Sequence, residues 1–199
     1  MGANGEQTRR RIITAAMRCV AEVGYSQATI REIARAADMT SGSLYHYFPN
    51  KSELLHATGE EIEEIVLPRL RAAAAQHDDV VDRLEAVLDE STRLIRDYPY
   101  LTGFLRALRA GRARRGVPRS PGSKALHDVV FEIVDDAQMR GILAPEADPR
   151  STVEAICALT RGLSEQADSL SPETYQATLS SAKGLIRGTL FTQRIAQRP

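Results

Sequence analysis

Residues 29–54 read Thr-Ile-Arg-Glu-Ile-Ala-Arg-Ala-Ala-Asp-Met-Thr-Ser-Gly-Ser-Leu-Tyr-His-Tyr-Phe-Pro-Asn-Lys-Ser-Glu-Leu. Thr29 with Glu32 three residues on is a capping box, which fixes a helix start. Ile30, Ile33, Ala34 and Ala37 give that helix its apolar stripe. A tight turn follows, then a helix over about 41–47 that is too short to be stable alone and must be held by packing. Pro49 stops it, and Asn50 with Glu53 opens the next helix. Two short helices across a tight turn, followed by a bracing helix, form a helix-turn-helix, which suits placing one helix in a DNA major groove.

The residue types on the short helix agree with that use. Side chains near the N-terminus of a groove-bound helix meet the base edges, and here those are Thr40, Ser41, Gly42 and Ser43. Hydroxyls accept or donate, and Gly42 lets the backbone come close. Arg31 is the one long donor nearby that suits a bidentate pair with guanine. Thr29, Tyr45, His46, Tyr47 and Lys51 are the candidates for phosphate oxygens, contacts that position a protein without reading sequence. Lys51 also opens a helix, whose free N–H groups and partial positive charge favour a phosphate. Leu44 and Phe48, four apart on the opposite face, are expected in the core.

The remaining sequence is helices punctuated by Gly and Pro, with no convincing period-2 strand, so the fold class is all-α. Ile13, Ala16, Met17 and Val20 make a first helix ended by Gly24. The fourth helix is expected over Lys51 to about Ala75, bent or broken at Pro68. Leu84, Val87, Leu88, Ser91 and Ile95 mark a fifth, and Tyr98 to Arg109 a short sixth. Residues 109–123 carry five arginines, three glycines and two prolines and read as a solvated basic loop. Leu126 to Arg140 is a seventh helix closed by Gly141. Asp148-Pro149 and Ser171-Pro172 pair an N-cap with proline at the first helical position, opening helices over about 149–168 and 172–194. The last presents Ala177, Ser180, Ser181, Gly184 and Gly188 on one side, small residues that suit a tight intramolecular core and a dimer interface equally. Glu60, Glu61, Glu63 and Glu64 read as a solvated acidic face.

The 199 residues suit one or two domains, and the 43% hydrophobic content suffices for a sizeable core. The 26 basic and 26 acidic residues balance, and residues 1–56 hold seven Lys/Arg against five Asp/Glu. Recognition needs only a few placed contacts, so composition neither favours nor opposes DNA. Cys19 and Cys157 are far apart in apolar helical patterns and read as small buried hydrophobes. The first ten residues have no apolar core of a signal peptide and no run spans a membrane, so a cytoplasmic location is expected. His46, His56, His77 and His127 make no metal-ligand pair, and no nucleophile elbow, P-loop or dinucleotide fingerprint occurs. Neither catalysis nor a cofactor is expected.

The run from Ala-Thr-Ile-Arg-Glu-Ile-Ala through Gly-Ser-Leu-Tyr-His-Tyr-Phe to Pro-Asn-Lys-Ser-Glu-Leu resembles the DNA-binding domain of the tetracycline-repressor (TetR) family. The resemblance covers about residues 9–56, the first quarter of the chain. It implies a three-helix helix-turn-helix domain, residues 1–52, and a larger helical effector-binding and dimerisation domain, residues 53–199. By motif position Arg31, Thr40, Ser41 and Ser43 take base-reading roles, and Tyr45, Tyr47 and Lys51 phosphate roles. It also implies a homodimer built on the last two helices, which favours the interface reading of Ala177, Ser180, Ser181, Gly184 and Gly188.

The function implied is a transcriptional regulator, a repressor released from a near-palindromic operator by a small molecule. The alternatives are an activator and an effector-independent DNA-binding protein. The effector is expected among helices four to eight and largely apolar. Candidate walls are Leu67, Leu88, Leu101, Phe104, Leu105, Val130, Phe131, Val134 and Leu159, with Tyr98, Tyr100, His127 and Arg161 as polar candidates. An acyl thioester, its phosphates on the arginines of 109–119, is one such molecule.

Overall fold

Asn50 accepts a hydrogen bond from the Glu53 N–H at 2.9 Å and starts the longest helix among the described residues. The computed structural model describes residues 3–113 and 121–188. The described residues form α1 (Ala3–Val23), α2 (Ile30–Ala36), α3 (Ser41–Tyr45), α4 (Lys51–Ala74), α5 (Val80–Asp97), α6 (Leu101–Ala113), α7 (Pro121–Met139), α8 (Pro149–Gln166) and α9 (Pro172–Arg187). They include no strand.

The expected N-caps are all present. Thr29, Asn50, Asp148 and Ser171 each accept a backbone N–H of the helix they open, and Thr40, not among the expected caps, does the same for α3. Leu54, Thr58, Ile62, Val66, Leu70 and Ala73 recur at helical spacing and bury one side of α4. That side meets α7 and α5, and α1 also lies against α4. One core runs from Ile12 and Val20 on α1 through Leu44, Leu54 and Leu70 to Phe104, Val130 and Val153. A smaller cluster of Leu88, Leu163, Leu179 and Ala182 joins α5, α8 and α9. Among the described residues no helix is long and apolar enough to cross a membrane.

Several expectations are corrected. α4 runs unbroken through Pro68, whose ring lies on the exposed side. There the missing N–H leaves a carbonyl to water rather than to the core. The basic stretch 109–123 is not one continuous loop, because α6 extends to Ala113 and α7 begins at Pro121. Residues 114–120 of that stretch lie outside the described residues. The acidic face of α4 is only partly solvated. Glu61 pairs with Arg9 at 3.5 Å and Glu63 with Lys124 at 2.8 Å, so these acids tie α1 and α7 to α4. The last helix ends at Arg187, not 194, because Gly188 takes a left-handed φ of +67° and caps it. Gly188 therefore terminates the helix and leaves the small-residue face; the expected 189–194 lie outside the described residues.

A second bond between the N-terminal helices and the rest is the packing of α6 on α1. Gly103 makes it possible. A Cβ there would sit 2.9 Å from the Ala21 Cβ, closer than such atoms approach, and a tight 3.3 Å from its Cα. Gly103→Ala is expected to lower stability by about 1–3 kcal/mol through overpacking, although alanine is otherwise the better helix former. Thermal unfolding checks this; a raised melting temperature would show that α1 and α6 are not in close contact.

Candidate nucleic-acid interface and interior cavity

The helix-turn-helix is held from beneath. Ile33, Ala34 and Ala37 of α2 and its end, with Leu44 and Phe48, are buried against α1 and α4. The turn between α2 and α3 places Asp38 at φ +53°, a left-handed conformation that Asp tolerates better than most residues. The Met39 N–H returns to the Ala34 carbonyl at 3.0 Å, closing the turn. Arg9 stacks over the Phe48 ring at 5.6 Å, so the α3–α4 corner is fixed from α1 as well.

What remains outward is the expected set. Arg31, Thr40, Gly42, Ser43, Tyr45 and His46 are exposed, and Ser41 and Tyr47 are half-buried. Thr40 accepts the Ser43 N–H at 3.1 Å, and the two hydroxyl oxygens are 2.9 Å apart. These hydroxyls are thus ordered before any partner arrives. Only the Thr40 hydroxyl, at 3.8 Å, would lie near a Cβ at Gly42, so nothing within the protein requires glycine there. Tyr45 is 52% exposed, an unusual fraction for a large aromatic. Tyr47 instead packs part of its ring on the core.

Two of the phosphate candidates already have partners. The Thr29 hydroxyl donates to the Glu32 carboxylate at 2.9 Å, and the Thr29 N–H donates to the same oxygen. The Lys51 ammonium donates to the Tyr25 carbonyl and lies 4.7 Å from the centre of the Tyr25 ring. Lys51 therefore ties the α1–α2 turn to the start of α4, beside any charge role. Arg9 and Tyr25 went unnoticed in the sequence because their partners are 39 and 26 residues away, a pairing no local pattern displays.

Behind this face, α4, α5, α6, α7 and α8 enclose a cavity of about 70 Å³. Val66, Leu70, Leu94, Ile95, Leu101, Leu105 and Leu126 make its apolar walls; Ser91, Thr102, Arg109, Thr160, Arg161, Ser164 and Glu165 complete the lining. Of the residues anticipated from sequence, Leu101, Leu105 and Arg161 line it. Phe104, Val130 and Val134 are core, and Leu67 and Tyr98 pack against that core. Leu88 and Leu159 belong to the smaller cluster under α9. His127 stacks with Phe131 at 6.4 Å and approaches Glu154 at 3.9 Å; Phe131 is 47% exposed on the outside of α7. Tyr100 is also exposed.

On α9, Tyr175, Leu179 and Ala182 face inward, while Ala177, Ser180 and Ser181 are exposed and Gly184 is half-buried. The adjoining α8 adds exposed Ala155, Ala158 and Gly162 at the same small-residue spacing, a stripe not noticed in the sequence.

The family description "Bacterial regulatory proteins, tetR family" matches residues 12–58, which span the whole helix-turn-helix. The *Rhodococcus* sp. structure described as a putative TetR-family transcriptional regulator superposes on 90% of the chain and 98% of its own, with TM-score 0.71 and 25% identity. Residues 12–58 match the TetR family. The curated relatives match only part of the chain. "HTH-type transcriptional regulator BetI" of *Escherichia coli* (strain UMN026) is 39% identical over 85 residues, which is 41% of this chain and 43% of BetI. The chain spans half or less of the length of the curated relatives it matches. The *Bacillus subtilis* regulator FadR, solved with stearoyl-CoA, shares the fold at TM-score 0.75 and 20% identity, covering 92% of this chain and 99% of FadR.

The capping box predicts an acid dependence. The Thr29 N–H and then its hydroxyl hold the Glu32 carboxyl below the usual range by hydrogen bonding to its charged form. A lowered native value stabilises above the ordinary Glu pKa near about 4.3. The contribution fades as pH falls through the native value. Glu32→Ala is therefore expected to melt below wild type at neutral pH, with the gap narrowing below about pH 4. Parallel melting curves check this, and a gap that persists in acid would contradict it.

Proposed function

We propose that this chain is a DNA-binding transcriptional regulator, a repressor that leaves a near-palindromic operator when a small molecule fills the interior cavity. The observation that carries this reading is the α2–α3 face, where polar, small and aromatic side chains stand outward on helices buried from below. Arg31, Thr40, Ser41, Gly42 and Ser43 read bases in this account. Thr29, Tyr45, His46, Tyr47 and Lys51 hold phosphates. For Thr29 and Lys51 this means sharing groups that already brace the turn, which costs no new ordering of the side chain. The reader comprises residues 1–52, and 53–199 sense the effector and dimerise, acting where the DNA is, in the cytoplasm.

Two elements join cavity and reader. α4 starts beside α3 and contributes Val66 and Leu70 to the cavity wall; α6 contributes Leu101 and Leu105 and packs on α1. A ligand that separates these walls displaces both supports of the reader. Release then follows from differential affinity alone: moving a two-state balance from 1:99 to 99:1 takes about 5.5 kcal/mol. The dimer uses the small-residue faces of α8 and α9, with Ala177, Ser180, Ser181 and Gly184 on α9. Two readers about 34–36 Å apart would meet successive turns of one face of the duplex.

Selection from a randomised duplex pool tests the reading. Wild type is expected to recover one palindromic motif. Tyr45→Phe/Tyr47→Phe removes two hydroxyls without disturbing the packed Tyr47 ring and is expected to weaken binding by about 0.5–1.5 kcal/mol per lost hydrogen bond, with the motif unchanged. No enriched motif at low salt would overturn DNA recognition. Gly162→Arg tests the dimer, since nothing lies within 4 Å of a Cβ there in the single chain. Sedimentation should show monomers with wild-type helicity; an unchanged dimer would remove the α8–α9 face from the interface.

A further inference from the structure

Taking the cavity as the effector site, as proposed above, we infer that its effector is a short-chain monocarboxylate, with the carboxylate on Arg161. The lining divides into two chemically distinct ends. Leu70, Leu101 and Leu126 contribute apolar wall, while Arg109, about two turns beyond Leu101 on α6, pairs with Glu165 of α8, about one turn from Arg161, and makes a charged end. Arg109 is already satisfied by Glu165, its guanidinium 2.5 Å from the carboxylate. Arg161 has no carboxylate partner among the described residues, although it is half-buried. Two cations and one anion leave this end with a net charge of one positive unit.

Three of the lining hydroxyls cannot answer an anion in place of Arg161. Thr160 donates to the Ile156 carbonyl at 2.9 Å, Ser164 to the Thr160 carbonyl at 2.9 Å and Ser91 to the Val87 carbonyl at 2.7 Å. Their protons are committed to their own helices, and only lone pairs remain. A cationic ligand would meet an unscreened guanidinium, and a neutral one would leave it unpaired in a partly apolar setting. A carboxylate pairs with it through two parallel N–H bonds. A single negative charge cancels the single positive excess, which a phosphate dianion would overshoot. At about 70 Å³ the cavity holds roughly five water-sized spheres, room for a chain of a few carbons.

The test is calorimetric titration of the full chain with hexanoate, 1-hexanol, hexylamine and hexanoyl-coenzyme A. It is repeated on Arg161→Gln, on Leu105→Trp to fill the apolar end, and on Arg106→Gln as an exposed control outside the lining. Apo melting temperatures confirm that each variant is folded. Hexanoate is expected to bind at least tenfold more tightly than hexanol to wild type and Arg106→Gln. Arg161→Gln should lose that preference while still binding hexanol, and Leu105→Trp should bind neither. Equal binding of hexanol and hexanoate, undiminished hexanoate binding by Arg161→Gln, or preference for the amine or the thioester would overturn the carboxylate and leave the cavity reading standing. Hexanoate binding that survives Leu105→Trp would overturn it by placing the ligand elsewhere. Failure of every probe to bind wild type would overturn the carboxylate and the cavity together.

Discussion

The burial of α4 is the constraint on which the other features rest. Its 24 residues run about 36 Å at the helical rise of 1.5 Å per residue. The N-terminal turn sits beside the short α3, and Val66 and Leu70, about four and five turns on, line the cavity. Because α1, α5 and α7 pack on it, α4 cannot bend locally without opening close-packed core. Ion pairs from Arg9 and Lys124 to Glu61 and Glu63 fix its roll as well as its depth. Displacement at one end therefore reaches the other as movement of the whole helix. Pro68 does not interrupt this, since its side of the helix faces water.

α6 provides the second rigid connection, and it depends on one missing methyl group. The Gly103–Ala21 approach lets two helix backbones touch, so that α1 is gripped between α4 and α6. On the other side of α6, Leu101 and Leu105 face the cavity. The helix-turn-helix is thus supported twice from the same interior space. At the far end, ionic contacts lock α9 to α5: Lys183 to Asp89 and Arg187 to Asp82, both at 2.6 Å. Arg187 also reaches Glu85, and these acids keep its guanidinium more firmly charged than usual. That lattice holds the small-residue face of α9 in a fixed outward orientation.

What was legible in the sequence was local. Thr29 with Glu32, Asn50 with Glu53 and Asp148 before Pro149 announce helix starts because capping acts within four residues. The outward α3 face was legible for the same reason: Leu44 and Phe48 define the buried side, and their neighbours take the other. The cavity was not, because apolar residues on five helices look alike until packing decides which gaps stay open. Phe104, Val130 and Val134 fill space that Leu94, Thr102 and Leu126 leave empty, and no spacing rule separates the two sets. Gly188 was misassigned to the helix face because a helical period continues past a glycine on paper, whereas a left-handed φ ends the helix. Ion pairs such as Arg9–Glu61 were hidden by their sequence separation.

Amide hydrogen exchange with the selected duplex tests whether α3 and its turn meet DNA. A five-residue helix opens readily and exchanges fast when free. Bound to duplex, residues 40–47 and the first turn of α4 should slow strongly, with α8 and α9 unchanged. Protection confined to α8 and α9, or none on residues 40–47 under saturating duplex, would contradict the account.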